Sequence, residues 1–158
     1  MIRSAKDDKP YPKPAPLLEQ DAFMSIQRNA DWLMRGFEEV LEEHELSPAQ
    51  YNVLRILRTA GPSGMACHEI GERMITRDPD MTRLLDKLEE RELLGRSRER
   101  NDRRVIRTRI TPAGLKLLKE LDDPIRSLHR SQLGHLSEKR LRLLVRLLES
   151  VREQTLAR

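Results

Sequence analysis

Residues 105 to 110, Val-Ile-Arg-Thr-Arg-Ile, alternate in character inside a chain whose other apolar residues recur every three or four positions. Val105, Arg107 and Arg109 fall on one side and Ile106, Thr108 and Ile110 on the other, the two-residue period of a strand. A strand needs a partner for its backbone groups. Residues 93–98 are placed to supply it, with Glu99 to Arg104 as the connecting tip, so the pattern predicts a β-hairpin within an otherwise helical chain. The 158 residues include 25 leucines against 13 valines and isoleucines, and only five aromatic residues, a balance that favours helix and argues against an all-β sandwich. Length allows one ordinary domain and excludes a large multidomain enzyme.

The helices are punctuated clearly. Residues 1–16 hold Pro10, Pro12, Pro14 and Pro16 among charges and read as a proline-rich, flexible arm. Residues 17–45 then carry Ala30, Leu33, Met34, Phe37, Val40, Leu41 and His44 at helical steps, an amphipathic first helix. Ser47-Pro48-Ala49-Gln50 has the form of a capping box opening a second helix, with Leu46 and Tyr51 as a hydrophobic staple and Gly61-Pro62-Ser63-Gly64 as the stop. A short third helix is expected over Ala66 to Met74. Asp78-Pro79 is placed to cap a fourth almost at once, and two short helices with a tight join suggest a helix-turn-helix. In the fourth helix Met81, Leu84, Leu85 and Leu88 face inward, which leaves Arg77, Asp80, Thr82, Arg83 and Lys87 for the outer surface near its start. Thr111-Pro112 opens a fifth helix, which Pro124 is expected to kink or break, and Ser137 caps a sixth.

Charge is distributed unevenly. Residues 17–45 hold eight carboxylates and two arginines, whereas residues 95–109 hold seven arginines and two carboxylates, net +5 against +4 for the whole chain. A localised site for a polyanion is the reading this invites, and arginine's planar fork suits phosphates and guanine edges. Fold class and charge agree: a helix fits the major groove of DNA, and a hairpin beside it reaches backbone or minor groove.

Leu46-Ser47-Pro48-Ala49-Gln50-Tyr51, the run from Asp80 to Glu89, Asn101-Asp102-Arg103-Arg104 and Ile110-Thr111-Pro112-Ala113-Gly114 follow one another in an order and spacing that resembles the MarR family of winged helix-turn-helix transcriptional regulators over roughly residues 25–155. The resemblance implies a mainly α fold with a small β-hairpin wing: a DNA-binding lobe over 46–111, flanked by a dimerisation helix at 17–45 and dimerisation helices at 112–158. It implies that Thr82 and Arg83 face the groove, that Asp80 and Arg77 stand at the helix entrance, that Arg104 enters the minor groove with Asp102 steadying the tip, and that Arg103 meets phosphate. It also implies a homodimer on a pseudo-palindromic double-stranded operator, most often as a repressor, and a small lipophilic or phenolic effector between the lobes, where Trp32, Met34, Arg35, His44, Tyr51 and His68 are candidate lining residues. Core packing explains Met34 better than pocket lining does.

Other classes find less support. The chain has no glycine-rich phosphate loop, no G-x-S-x-G elbow and no convergent carboxylate–histidine grouping, so no enzyme and no cofactor are expected. No metal site is expected either: Cys67 and His68 are adjacent and lack ligand spacing, Cys67 is expected as a small core residue, and oxidant-sensing relatives carry their cysteine in the first helix. His129 and His135 are expected at the surface or an interface. With one cysteine, no secretory signal and no run of about 18 apolar residues, a cytoplasmic protein that does not enter membranes is expected. The rival reading is a winged-helix protein-interaction module whose basic hairpin meets an acidic partner.

Overall fold

The computed structural model describes residues 17–76, 80–98 and 106–156. Two compact units divide the chain after Trp32. In the first, helix α1 (Leu18–Glu42) runs to Trp32 with its side chains exposed. The second unit contains the remainder of α1 and the elements that follow.

In this second unit α2 (Pro48–Ala60) lies at the centre of the core. Both arms of the expected capping box form: the Gln50 backbone N–H donates to Ser47 Oγ at 3.2 Å, and the Ser47 N–H donates to Gln50 Oε1 at 2.9 Å. Val53, Leu54 and Leu57 are fully buried with Leu41 from the end of α1 and Leu118 and Leu121 from α5 (Pro112–Leu133). A 3-10 turn over Gly61–Ser63 follows. Gly64 has φ +63, and a Cβ there would lie 2.5 Å from the Thr108 carbonyl oxygen, so both backbone conformation and space require glycine.

That close approach seats a two-residue strand, β1 (Met65–Ala66), against the hairpin. The sheet is antiparallel with order β1-β3-β2, where β2 is Leu94–Arg98 and β3 is Ile106–Ile110. Met65 pairs with Thr108 on one edge of β3, and Arg96 pairs with Thr108 on the other. The hairpin expected from the alternation is present. Its third strand leaves no periodic signal because it is two residues long.

Helices α3 (Cys67–Arg73) and α4 (Met81–Glu90) follow and flank the turn. The join is longer than expected, since α3 ends before Met74. α4 is capped by Asp80 rather than Asp78: Asp80 Oδ1 accepts the Arg83 backbone N–H at 3.1 Å. Asp78 and Pro79 lie outside the described residues. Nor does Pro124 break α5, which is helical from Pro112 to Leu133. Pro124 itself is exposed, and buried Leu121 and Ile125 on either side anchor both halves of the helix to the core, offsetting the lost hydrogen bond. α6 (Glu138–Leu156) closes the described chain.

Candidate nucleic-acid interface

α4 is held as a platform. Leu84, Leu85 and Leu88 are buried on its inner face, while Asp80, Thr82, Arg83 and Lys87 are exposed on the outer one, as the three- and four-residue spacing requires. An open groove of about 320 Å³ lies between this helix and the start of α2, lined by Ser47, Ala49, Gln50, Asp80, Arg83, Leu84 and Lys87. The chain just after α3 is held by a residue that composition does not single out. Asn52, buried in α2, accepts the Ile75 backbone N–H through Oδ1 at 3.0 Å. At the other end of α4, Arg91 donates to the carbonyl oxygens of Glu45 (2.6 Å) and His44 (3.0 Å), tying the helix to the turn after α1.

The wing arginines divide by role. Arg107 pairs with Glu69 at 2.9 Å, and Glu69 also accepts the Ala66 backbone N–H at 2.6 Å, so one carboxylate joins the start of α3 to β3. The Ala66 hydrogen bond, aided by Arg107, holds the Glu69 carboxyl below the usual carboxylate range. Arg109 donates to the Pro62 carbonyl at 2.9 Å and to Ser97 Oγ at 2.8 Å. Arg96 reaches Glu89 and Asp86 on α4. Arg98 is exposed near the end of β2. Three of the seven arginines that sequence reasoning assigned to a polyanion patch therefore hold the wing together. Their partners Glu69, Asp86 and Glu89 were the residues that reasoning missed, although Asp86 and Glu89 stand three apart on one helix face.

Arg77, Asp102, Arg103 and Arg104 lie outside the described residues. The candidate effector residues are placed as follows. Trp32 belongs to the first unit and is 52% exposed. In the second unit Arg35 and His68 are exposed, His44 is half-buried, and Tyr51 is packed into the core edge-on to Phe37 at 5.4 Å, with burial raising its phenol pKa. Phe37 also stacks on His129. Neither the groove beside α4 nor a second one, lined by Leu141, Arg142, Val145 and Arg146, contains any of these five residues.

Two core expectations are corrected. Met34 is 42% exposed rather than packed, and Cys67 is exposed. Cys67 opens the first turn of a seven-residue helix, where Met65 and Ala66 before it and Ile70 after it take the buried positions. Among the described residues no three His, Cys, Asp or Glu side chains converge as a metal site would require, and no helix is long and apolar enough to cross a membrane.

Two consecutive short helices, the second with an exposed outer face and flanked by an antiparallel strand pair, define a winged helix-turn-helix. The MarR family profile matches residues 46–106, which run from the cap of α2 into β3. A MarR transcription factor from Planctomyces limnophilus is 44% identical, with 85% of this chain and 98% of that one superposed at a TM-score of 0.67. The chain belongs to the MarR family. A variant of MarR from E. coli, solved in complex with operator DNA, has the same fold at 21% identity, over 87% of this chain and 99% of that one, with a TM-score of 0.76. MhqR, an HTH-type transcriptional regulator of Bacillus subtilis, is 33% identical over 81 residues; these cover 51% of this chain, which thus spans little more than half (54%) of that relative's length.

Proposed function

We propose that the chain is a dimeric, sequence-specific DNA-binding transcriptional regulator. The observation that carries this reading is the two-faced α4: leucines lock one side to the core, and Thr82, Arg83 and Lys87 stand clear on the other beside an arginine-rich wing. α4 would enter the major groove, with Thr82 and Arg83 toward base edges and Lys87 toward phosphate, while Arg104 at the wing tip reaches the minor groove. Asp80 has a different part. Its carboxylate caps the helix and so presents the N-terminal turn, with Arg83, in a fixed orientation.

A second copy would cover the terminal helices. Along α6, Leu143, Leu144, Val145, Leu147, Leu148 and Val151 are exposed, as are Leu17, Leu18, Phe23, Met24 and Ile26 near the N-terminus. Exposed apolar stripes of this kind are what a partner chain would cover. A two-fold dimer would set its two α4 helices one DNA turn apart, or a multiple of it, and so select a pseudo-palindromic operator. Repression by operator occupancy, relieved by a small lipophilic or phenolic effector that prefers a DNA-incompetent spacing of the lobes, completes the reading; only differential affinity can drive that release. The candidate effector contacts are Arg35, His44, Tyr51 and His68 in the second unit and, by itself, Trp32 in the first.

The test is selection of genomic fragments by the purified protein, followed by mobility shift over increasing salt and a screen for compounds that release the bound fragments. Preferential, salt-sensitive binding is expected, with Arg104→Ala weakening it strongly while the dimer persists. Absence of binding at low salt, or equal binding to any sequence, would remove the transcription-factor reading; the alternative is a winged-helix module whose basic hairpin meets an acidic protein partner.

A further inference from the structure

β2 is an edge strand, and its outward backbone groups need partners from outside the sheet. Arg96 and α4 provide one. The Arg96 backbone N–H donates to Glu89 Oε1 at 3.0 Å, and its side chain returns to the same carboxylate through Nε at 2.8 Å. The guanidinium then continues to Asp86, one turn back along α4. One residue of the wing thus grips two carboxylates on the helix that carries Thr82, Arg83 and Lys87. Arg96 is half-buried, with its fork engaged inside the protein.

We propose that Arg96 is a positioning residue for DNA recognition: through Glu89 and Asp86 it locks β2 to α4, so that helix and wing reach the two grooves at one fixed relative orientation. The proposal rests on the DNA-binding reading above. It separates Arg96 from the arginines at the wing tip, because its contribution is geometric and does not neutralise phosphate. Its signature is an inverted charge effect. Removing a carboxylate near a polyanion ordinarily strengthens binding, whereas removing Glu89 here loosens the wing and weakens it.

The experiment uses the full-length protein and duplexes cut from genomic fragments that the wild type selects. Affinity is read by fluorescence anisotropy across a salt series for Arg96→Met, Arg96→Lys, Glu89→Gln and the Arg96→Met/Glu89→Gln double variant, with thermal unfolding recorded for each. Arg96→Met and Glu89→Gln should each weaken binding roughly tenfold, about the worth of one well-aligned contact, with the slope of log affinity against log salt unchanged. The double variant should lose no more than either single one. Arg96→Lys should not restore affinity, since an ammonium lacks the fork that spans both carboxylates. If Glu89→Gln binds as tightly as wild type or tighter, if Arg96→Lys is fully active, or if Arg96→Met lowers the salt slope by about one contact, then Arg96 touches phosphate directly and the proposal is overturned. A wild-type protein that binds none of the duplexes removes the DNA-binding reading, and the proposal falls with it.

Discussion

Replacing Gly114 with alanine should destabilise the protein, although the same change inside a helix ordinarily stabilises. Gly114 lies in the first turn of α5, where the Thr111 hydroxyl accepts its N–H at 3.1 Å and the Thr111 N–H donates to the Leu93 carbonyl at 3.1 Å. A Cβ at Gly114 would stand 2.2 Å from the Leu93 carbonyl oxygen and 2.8 Å from Ile110 Cγ1. The first of these is backbone at the base of β2 and cannot swing aside. Overpacking of this kind costs about 1–3 kcal/mol or more. Because the 2.2 Å contact is with backbone, the upper end of that range applies; alanine's helix propensity returns about 1 kcal/mol, so a net loss of roughly 2 kcal/mol is expected. At about 2–4 °C per kcal/mol for a chain of this size, the melting temperature should fall by several degrees. Gly71 is the control: it lies inside α3, and a Cβ there meets nothing within 4 Å, so Gly71→Ala should raise stability by about 0.5–1 kcal/mol. Both variants are compared with wild type by thermal and urea unfolding at one protein concentration, because the melting temperature of the proposed dimer would depend on it. A Gly114→Ala protein as stable as wild type, or more so, would refute the close seating of α5 on the base of the wing.

Three further predictions concern charge and interfaces. Glu69 and Glu89 are both held below their ordinary value of 4.5, Glu69 chiefly by the Ala66 N–H and Glu89 chiefly by Arg96, so their contribution to stability is complete above 4.5 and is lost as pH falls through the lowered folded values. The stability gap between wild type and Glu69→Gln in urea titrations should therefore be constant from pH 7 to about 5 and close below that, and a gap unchanged at pH 3 would contradict the Ala66 N–H bond and the Arg107 pair at Glu69. Leu144→Asp/Leu148→Asp on α6 should sediment as a folded monomer where wild type sediments as a dimer; a variant that remains dimeric would remove α6 from the interface. Arg83→Ala should weaken binding to the preferred duplex about tenfold or more and flatten discrimination among base substitutions at one position, whereas an equal loss on every sequence would make it a phosphate contact.

The elements legible in the sequence are those whose signals are local. Ser47 and Gln50 specify the start of α2 by themselves, and the alternation from Ile106 to Ile110 specifies β3. Features made by distant pairing were not legible. β1 exists because Gly64 lets Met65 approach Thr108, and two residues carry no period. Asp78-Pro79 has the residue types of a helix start, whereas the cap of α4 is Asp80, which accepts the Arg83 backbone N–H. The same limit applied to the site. Periodicity identified the outer face of α4 correctly, since burial of Leu84, Leu85 and Leu88 leaves Thr82, Arg83 and Lys87 outside. Counting arginines could not separate those that face solvent from Arg96, Arg107 and Arg109, because their partners lie on other elements: Glu89, Glu69 and the Pro62 carbonyl.

Hydroxyl-radical footprinting of the full-length protein on a selected genomic fragment tests the central claim most directly. Two-fold-related protections one helical turn apart, or a multiple of it, with minor-groove protection beside each, are the predicted result. A single unpaired protection, or none at a protein concentration that saturates the mobility shift, would contradict a dimer that reads DNA with paired recognition helices and wings.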